Sequence, residues 1–409
     1  MDDVVITGTG AVTPLGNDVR TFWENLIAGK SGIGRVTRFD VDDLPTQVAG
    51  EIKGFDPLKW MSRQTARRAT LATQFAVAAS MEALQSAHVE ITDENRQNIG
   101  IYVGSGLCGL SDFENTILRE GAKGWRRMHP LSPILESNHA TAFVLSCDLE
   151  ITGPALTISS VCNSGNNALG VAFDQLLLHR VDMALVVGVD SVSPVAFKGF
   201  CRLGATSRSK CDPATASRPF DYDRDGFVAA EGAGALVLER QGDARKRGIK
   251  PNARLAGYGF TGDAYNIAKI EPSGAQISRA MSLALKSSRT EPGDVSYICA
   301  HAPSMPDTDR TETQAIKRTF GPLARHLPVS SIKGAVGSPI GGTNAMQWVS
   351  AVQSLRYSVI PPTVNYETPD PECDLDCVPG DAREATLHCV IINSHAFGGG
   401  NSSVVMKTL

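Results

Sequence analysis

The stretch from Ala155 to Asn166, A-L-T-I-S-S-V-C-N-S-G-N, constrains this chain more than any other. Apolar and β-branched residues run up to Cys162, small polar residues follow, and A-L-G-V-A-F-D-Q-L-L-L from Ala168 continues with helical spacing. That order reads strand, tight turn, helix, with a thiol on the turn. The unpaired N–H groups and dipole of the helix start are expected to favour thiolate at Cys162 and to hold the oxygen of an attached thioester. The first expectation is a nucleophilic cysteine on an elbow. It has to be weighed against the commoner fate of a cysteine, a small buried hydrophobe.

The chain around it alternates in the same way. V-V-I-T-G-T-G from Val4 reads as a strand, Asp18 to Ala28 and Arg63 to Ser86 as helices, and Ile99 to Gly104 as a strand. Beyond the elbow come a buried-type strand from Met183 to Val189, a polar turn region from Ser217 to Gly226 and a strand from Ala233 to Glu239. The charged connection from Arg245 to Lys250 marks the boundary between two halves, 1–250 and 251–409. The second half opens on a strand-like run from Asn252. Helices at Ile277 to Ser287, Thr311 to Phe320 and Asn344 to Leu355 follow, with strands at Val295 to Ala300, Cys389 to Asn393 and Ser403 to Met406. This predicts an α/β fold of mixed sheets covered by helices, one half repeating the other. A chain of 409 residues can bury a core of that size.

Composition narrows the function. A net charge of −4 gives no whole-chain reason to expect a nucleic-acid partner. No apolar run is long enough to span a bilayer. Nine cysteines in no framework spacing, with no signal sequence at the start, predict free thiols in a reducing cytoplasm. Cys373 and Cys377 form a C-x3-C pair without a second ligand pair nearby, so no metal is expected. Gly104 to Gly109 is formally G-x-G-x-x-G after a strand and raises a dinucleotide-binding oxidoreductase. It lacks a clear βαβ unit and a ribose acid, so glycines that let backbones pass closely are the better reading.

With these pieces placed, the sequence resembles the β-ketoacyl-acyl-carrier-protein synthases, type I/II ketosynthases of the thiolase fold, essentially end to end. The resemblance rests on V-I-T-G-T-G-A-V-T-P-L-G, the V-C-N-S-G elbow and S-R-P-F-D-Y-D-R-D-G-F-V-A-A-E-G-A-G-A-L-V-L-E. Further on, P-P-T-V-N-Y, C-D-L-D and F-G-G-G-N match. It implies two pseudo-symmetric halves in five layers (α-β-α-β-α), assembled as a dimer. It also implies an acyl chain moved from an acyl carrier protein to Cys162, then lengthened by decarboxylative condensation with a malonyl group. No bound cofactor is implied, because the phosphopantetheine arm arrives on the carrier protein. The backbone N–H groups of Cys162 and Phe397 would form the oxyanion hole, with Phe397 also the gating aromatic. Leu107 matches a position lining the acyl pocket. Arg67, Arg68, Arg126, Arg127 and Arg208 match positions that dock the acidic carrier protein.

The departures from the family pattern cluster on one side of the chemistry. His301 and Lys333 match the first histidine and the lysine, but Ser338 stands where the second histidine belongs. A serine donates one hydrogen bond and carries no positive charge. Pro303 and Met305 replace two threonines that hold the pantetheine arm, and His395 replaces an aromatic, making it a candidate substitute for the missing ring. Acceptor-side residues are kept and extender-side residues altered. The sequence therefore leans towards a specialised subunit paired with an active ketosynthase, as chain-length factors are. Retention of Cys162 supports the alternative, a stand-alone condensing enzyme or acyltransferase with a Cys-His-Ser arrangement. Whether the dimer is homo- or heteromeric stays open.

Overall fold

The computed structural model describes residues 3–107 and 109–409, with side chains for all of them except 119 and 120. Cys108, inside the glycine-rich stretch, and the first two residues lie outside the described residues. Ten strands form the main sheet: β1 (Val4–Val12), β2 (Ile99–Gly104), β3 (Ala155–Ile158), β4 (Met183–Asp190), β5 (Gly232–Arg240), β6 (Ala253–Gly262), β7 (Tyr297–Cys299), β8 (Val329–Ser330), β9 (Cys389–His395) and β10 (Gly400–Lys407). Their spatial order is β8-β7-β9-β10-β6-β1-β5-β4-β2-β3.

That order is one pattern used twice. In the first half β1 pairs antiparallel with β5, β5 antiparallel with β4, and β4, β2 and β3 run parallel. In the second half β6 pairs antiparallel with β10, β10 antiparallel with β9, and β9, β7 and β8 run parallel. The halves meet where β1 and β6 pair antiparallel, from Val4 opposite Leu255 to Ile6 opposite Ala253.

Helices complete five layers. On one outside face, α1 (Leu71–Ser86) packs against β1, β5 and β4. Between the halves lie α2 (Ser164–Leu177) and α6 (Thr343–Tyr357), each touching strands of both. On the far face α4 (Ala275–Ser287) packs on β6 and β10 with α5 (Pro306–Phe320) beside it, and α3 (Pro194–Leu203) flanks the elbow region. Strand alternation sorts side chains between these layers. Val186 and Ile392 enter the middle core with Leu169 and Trp348. Leu185 and Val187 turn outward to Phe75, and Ile391 turns outward to Met281 and Ile316. Burial on both faces explains why M-A-L-V-V-G-V reads as an unbroken apolar run. Trp348 Nε1 donates to Asn166 Oδ1 at 2.8 Å and ties α6 to α2 behind the elbow.

One predicted element divides. The helix expected from Arg63 to Ser86 is two, Arg63–Arg68 and α1, separated by extended backbone at Ala69 and Thr70. The Thr70 hydroxyl accepts from Thr73 N and starts a new helix, so local capping wins over the alanine-rich periodicity. Among the described residues no helix is long and apolar enough to cross a membrane.

Candidate active site

Cys162 owes its position to a sharp elbow. β3 ends at Ile158, Val161 takes a φ of +54°, and a single turn, Val161–Asn163, leads into α2. A β-branched residue in the left-handed region is strained, and the surrounding hydrogen bonds hold it there. Ser164 Oγ accepts from Ser160 N at 2.9 Å and donates to Val161 O at 2.6 Å, while Asn167 Nδ2 donates to Ser160 Oγ at 2.8 Å. From β9, Ser394 Oγ donates to the Cys162 carbonyl at 3.0 Å. The first glycine of the G-x-G-x-x-G stretch serves this elbow. A Cβ on Gly104 would lie 2.5 Å from Gly165 N and Cα, so only glycine lets α2 start against the end of β2.

The thiol itself is not the tuned thiolate that the helix start predicts. Cys162 is buried, and burial pushes its thiol up to about 12. The Lys333 ammonium opposes this, the Asp190 carboxylate adds to it, and the cysteine's own N–H lowers it a little. Desolvation of a fully enclosed sulfur outweighs the helix start. The nucleophile therefore rests as a thiol.

Asp190 is a residue that the sequence reading missed. It ends β4 at 1% exposure, and its carboxylate accepts from Ser105 Oγ at 2.6 Å, Leu107 N at 2.8 Å, Gly106 N at 3.0 Å and Gly341 N at 2.6 Å. No lysine or arginine pairs with it among the described residues, and burial raises its carboxyl to about 6. It thus staples the turn carrying Leu107 to the turn that follows Ser338, with Leu107, Val161, Ile340 and Cys162 packed in one apolar cluster. An acid closing the otherwise apolar M-A-L-V-V-G-V-D was the available signal. Above pH 6 its charge disfavours thiolate at Cys162. Alkylation of Cys162 by iodoacetamide is expected to rise about tenfold per pH unit from 7 to 10 without a plateau. Asp190→Asn is expected to speed it about three- to tenfold at pH 8. A plateau below pH 9 in the native protein, or an unchanged rate in a folded variant, would contradict this arrangement.

His301 follows β7 and is held by its backbone. Its N–H donates to Glu312 Oε1 at 3.0 Å, the next N–H, Ala302, donates to Oε2 at 2.8 Å, and Asn393 Nδ2 donates to Oε1 at 3.1 Å. Lys333 Nζ donates to the His301 carbonyl at 2.5 Å. Burial works against charge on Glu312, but the His395 ring and these N–H groups overcome it and hold the carboxyl below its usual value. Burial brings Lys333 down to about 8. Burial, helped by Lys333 and His395, drives His301 well below the usual imidazole range, so this ring is neutral at pH 7. Its Nδ1 lies 3.5 Å from Ser394 Oγ.

Cys162, His301, Ser338, His395 and Phe397 all line one cavity of about 320 Å³. Lys333 stands behind His301. Pro303 and Met305 contribute apolar wall, and Tyr265, Lys269 and Arg310 also line the cavity. Phe397 sits in the turn between β9 and β10, stacked on Phe200 of α3 at 5.8 Å and tilted against Phe227 at 6.3 Å. Gly398 and Gly399 follow it at φ +86° and +78°, a turn that residues with a Cβ rarely adopt. Ser338 faces the Thr343 hydroxyl at 3.4 Å. The five arginines are outside the cavity lining; Arg67, Arg68, Arg126, Arg127 and Arg208 are all exposed. Among the described residues no group of three His, Cys, Asp or Glu is placed to hold a metal ion.

Two family models cover this architecture: the β-ketoacyl synthase N-terminal domain matches residues 1–244, and its C-terminal domain matches residues 252–367. The chain belongs to the β-ketoacyl synthase family. The 3-oxoacyl-(acyl-carrier-protein) synthase 2 of Synechocystis sp. is 40% identical over 409 residues, 99% of this chain and 97% of that one. Among solved structures, a type II polyketide acyl-carrier protein in complex with its ketosynthase, bound to the hexaketide, aligns with a TM-score of 0.92 at 29% identity, covering 100% and 99% of the two chains. The ishigamide ketosynthase/chain length factor aligns at 0.91 and 30% identity, again over 100% and 99%. The fold of this β-ketoacyl synthase family member is the five-layered α/β architecture that the sequence resemblance implies.

Proposed function

We propose that this family member condenses acyl chains delivered by an acyl carrier protein. The observation that carries the reading is the shared cavity: a buried thiol and a neutral, buried imidazole, Cys162 and His301, on one wall system with Phe397 beside them. In the first half-reaction the Cys162 sulfur attacks the carrier thioester. The new C–S bond replaces the old one, and the thiol proton leaves with the departing carrier thiol. In the second, the malonyl C–C bond breaks and CO2 leaves, its electron pair passing onto the thioester oxygen as an enolate. The enolate carbon then attacks the acyl carbonyl, a C–C bond forms, and Cys162 departs as thiolate and takes up one proton from solvent. The Cys162 and Phe397 N–H groups serve the tetrahedral oxyanion, and His301 serves the enolate oxygen. Lys333 stabilises the departing thiolate, as its pull on Cys162 indicates.

A free sheet edge supports pairing with a second chain. Among the described residues β3 pairs only with β2, leaving one backbone edge open, and Leu156 on it and Phe143 next to it are half exposed. An open apolar edge is a pairing surface, and a second ketosynthase-family chain is the occupant proposed. The exposed arginines dock the acidic carrier protein.

The apolar Pro303 and Met305 and the ringless Ser338 favour a second reading, a specialised subunit that loads but needs an active ketosynthase to elongate. Mixing the protein with acyl- and malonyl-carrier proteins, and following acyl loading, CO2 release and product by mass, decides between them. Loading followed by elongation by this chain alone supports the condensing enzyme. Elongation only after a second ketosynthase is added supports the subunit.

A further inference from the structure

The inner end of the cavity holds the buried Cys162 and His301, and its outer end the exposed Tyr265, Lys269 and Asp307. A ligand that reaches the thiol therefore passes along the wall between them. Pro303, Met305, Ile270 and Pro272 on that wall carry no hydroxyl or amide side chain. Ser338 already faces the Thr343 hydroxyl at 3.4 Å. His395 uses its ring nitrogens behind the wall: Nδ1 lies 3.2 Å from Asn401 Oδ1, and the enclosed Nε2 faces Glu312 Oε1 at 3.5 Å.

Helix α5 supplies what the wall lacks. Thr308 and Thr311 stand three residues apart on one face of its first turns, and both line the cavity. Further along, Thr313 and Thr319 turn their hydroxyls back onto the carbonyls of Asp309 and Ala315, at 2.9 Å each. Thr308 and Thr311 do not. Among the described residues neither hydroxyl has a hydrogen-bond partner, and neither oxygen is sealed off. Thr308 is 9% exposed. Thr311 packs its methyl towards Gly274, where an added Cβ would lie 3.3 Å from Cγ2. At 1% exposure, the part of Thr311 left open is its hydroxyl.

A hydroxyl both donates and accepts and carries no charge, so the group it suits is a neutral amide, which does the same. An amide drawn into an apolar cavity gives up its water and needs a partner there. The pantetheine arm that presents a thioester on a carrier protein is a flexible chain carrying two amides. Resting on the carrier-fed reading above, we propose that Thr308 and Thr311 bind the amides of the pantetheine arm and so set the protein's preference for pantetheine thioesters over plain ones. No bond forms or breaks at either residue.

The test follows loading of Cys162 by mass from three donors: the butyryl thioester of pantetheine, that of a plain alkanethiol without amides, and butyryl-acyl carrier protein. The readout is the ratio of kcat/KM for the pantetheine ester to that for the plain one. Thr308→Val and Thr311→Val keep the branched shape and lose the hydroxyl. Each is expected to cut the ratio about three- to tenfold, and loading from the carrier protein is expected to fall by the same factor. Thr308→Ser and Thr311→Ser are expected to keep the ratio within about twofold of native, because the hydroxyl stays. A ratio unchanged in the folded valine variants, even where both esters slow alike, overturns the assignment. If the native protein loads from the pantetheine ester with this threonine dependence, yet neither takes butyryl from the carrier protein nor releases CO2 from the malonyl form, the carrier-fed reading fails and the assignment of the threonines stands.

Discussion

Cys162→Ala is expected to leave no acyl group on the protein and to lower condensation by about four orders of magnitude or more, the scale on which removal of a covalent nucleophile acts. Nothing else in the cavity replaces it. Ser338 has a neutral hydroxyl facing that of Thr343, and among the described cysteines Cys162 alone lines the cavity. The fold should survive, because the change removes one sulfur from a site already bordered by a cavity, a loss of about 1 kcal/mol. A melting temperature lowered by no more than about 2 °C, with no mass gain on mixing with an acyl carrier protein, is the expected pair of results. A folded variant that still loads would move the acceptor away from the elbow.

Glu312→Ala is the substitution expected to cost most in stability. The carboxylate is fully buried and accepts from the backbone of His301 and Ala302 and from the Asn393 amide, with the His395 ring beside it. Removing it strands three buried donors and leaves Lys333 without its nearby countercharge, a loss of about 3–5 kcal/mol. His301 also loses the two backbone anchors that set its place. The carboxyl lies below its ordinary value of 4.5 in the folded protein, so its contribution is full above about pH 4.5. It is lost as the pH falls through the folded value. Urea unfolding at pH 7 and at pH 4 measures both, and the difference between native protein and Glu312→Ala should narrow in acid. A variant within 1 kcal/mol of the native protein at pH 7 would show that the buried donors find other partners.

What the sequence disclosed depended on whether a feature is local. The elbow was legible because a strand run, a turn of small polar residues and a helical period follow one another over a dozen positions, and the structure places β3, the turn and α2 there. The charge state of Cys162 was not, because the helix start is local while burial comes from Phe227, Ile340 and Phe397, far away in sequence. The break at Thr70 was hidden by the alanines around it, since capping depends on one hydroxyl meeting one N–H. Asp190 illustrates the same limit. Its four donors come from residues 105–107 and 341, and only the folded sheet brings them to one carboxylate. His395 was legible as a departure, but its fixed ring, unpartnered Nε2 and contact with His301 appear only where β9 and β10 meet the elbow.

The most direct measurement is peptide mapping of the native protein after brief incubation with an acyl carrier protein carrying a labelled acyl chain. The acyl mass is expected on the peptide containing Cys162, at about one group per chain, and absent from the peptides containing Cys201, Cys211, Cys299 and Cys147. An acyl group on any other residue, or none at all under conditions where the carrier protein is fully charged, would contradict the assignment of Cys162 as the acceptor in this cavity.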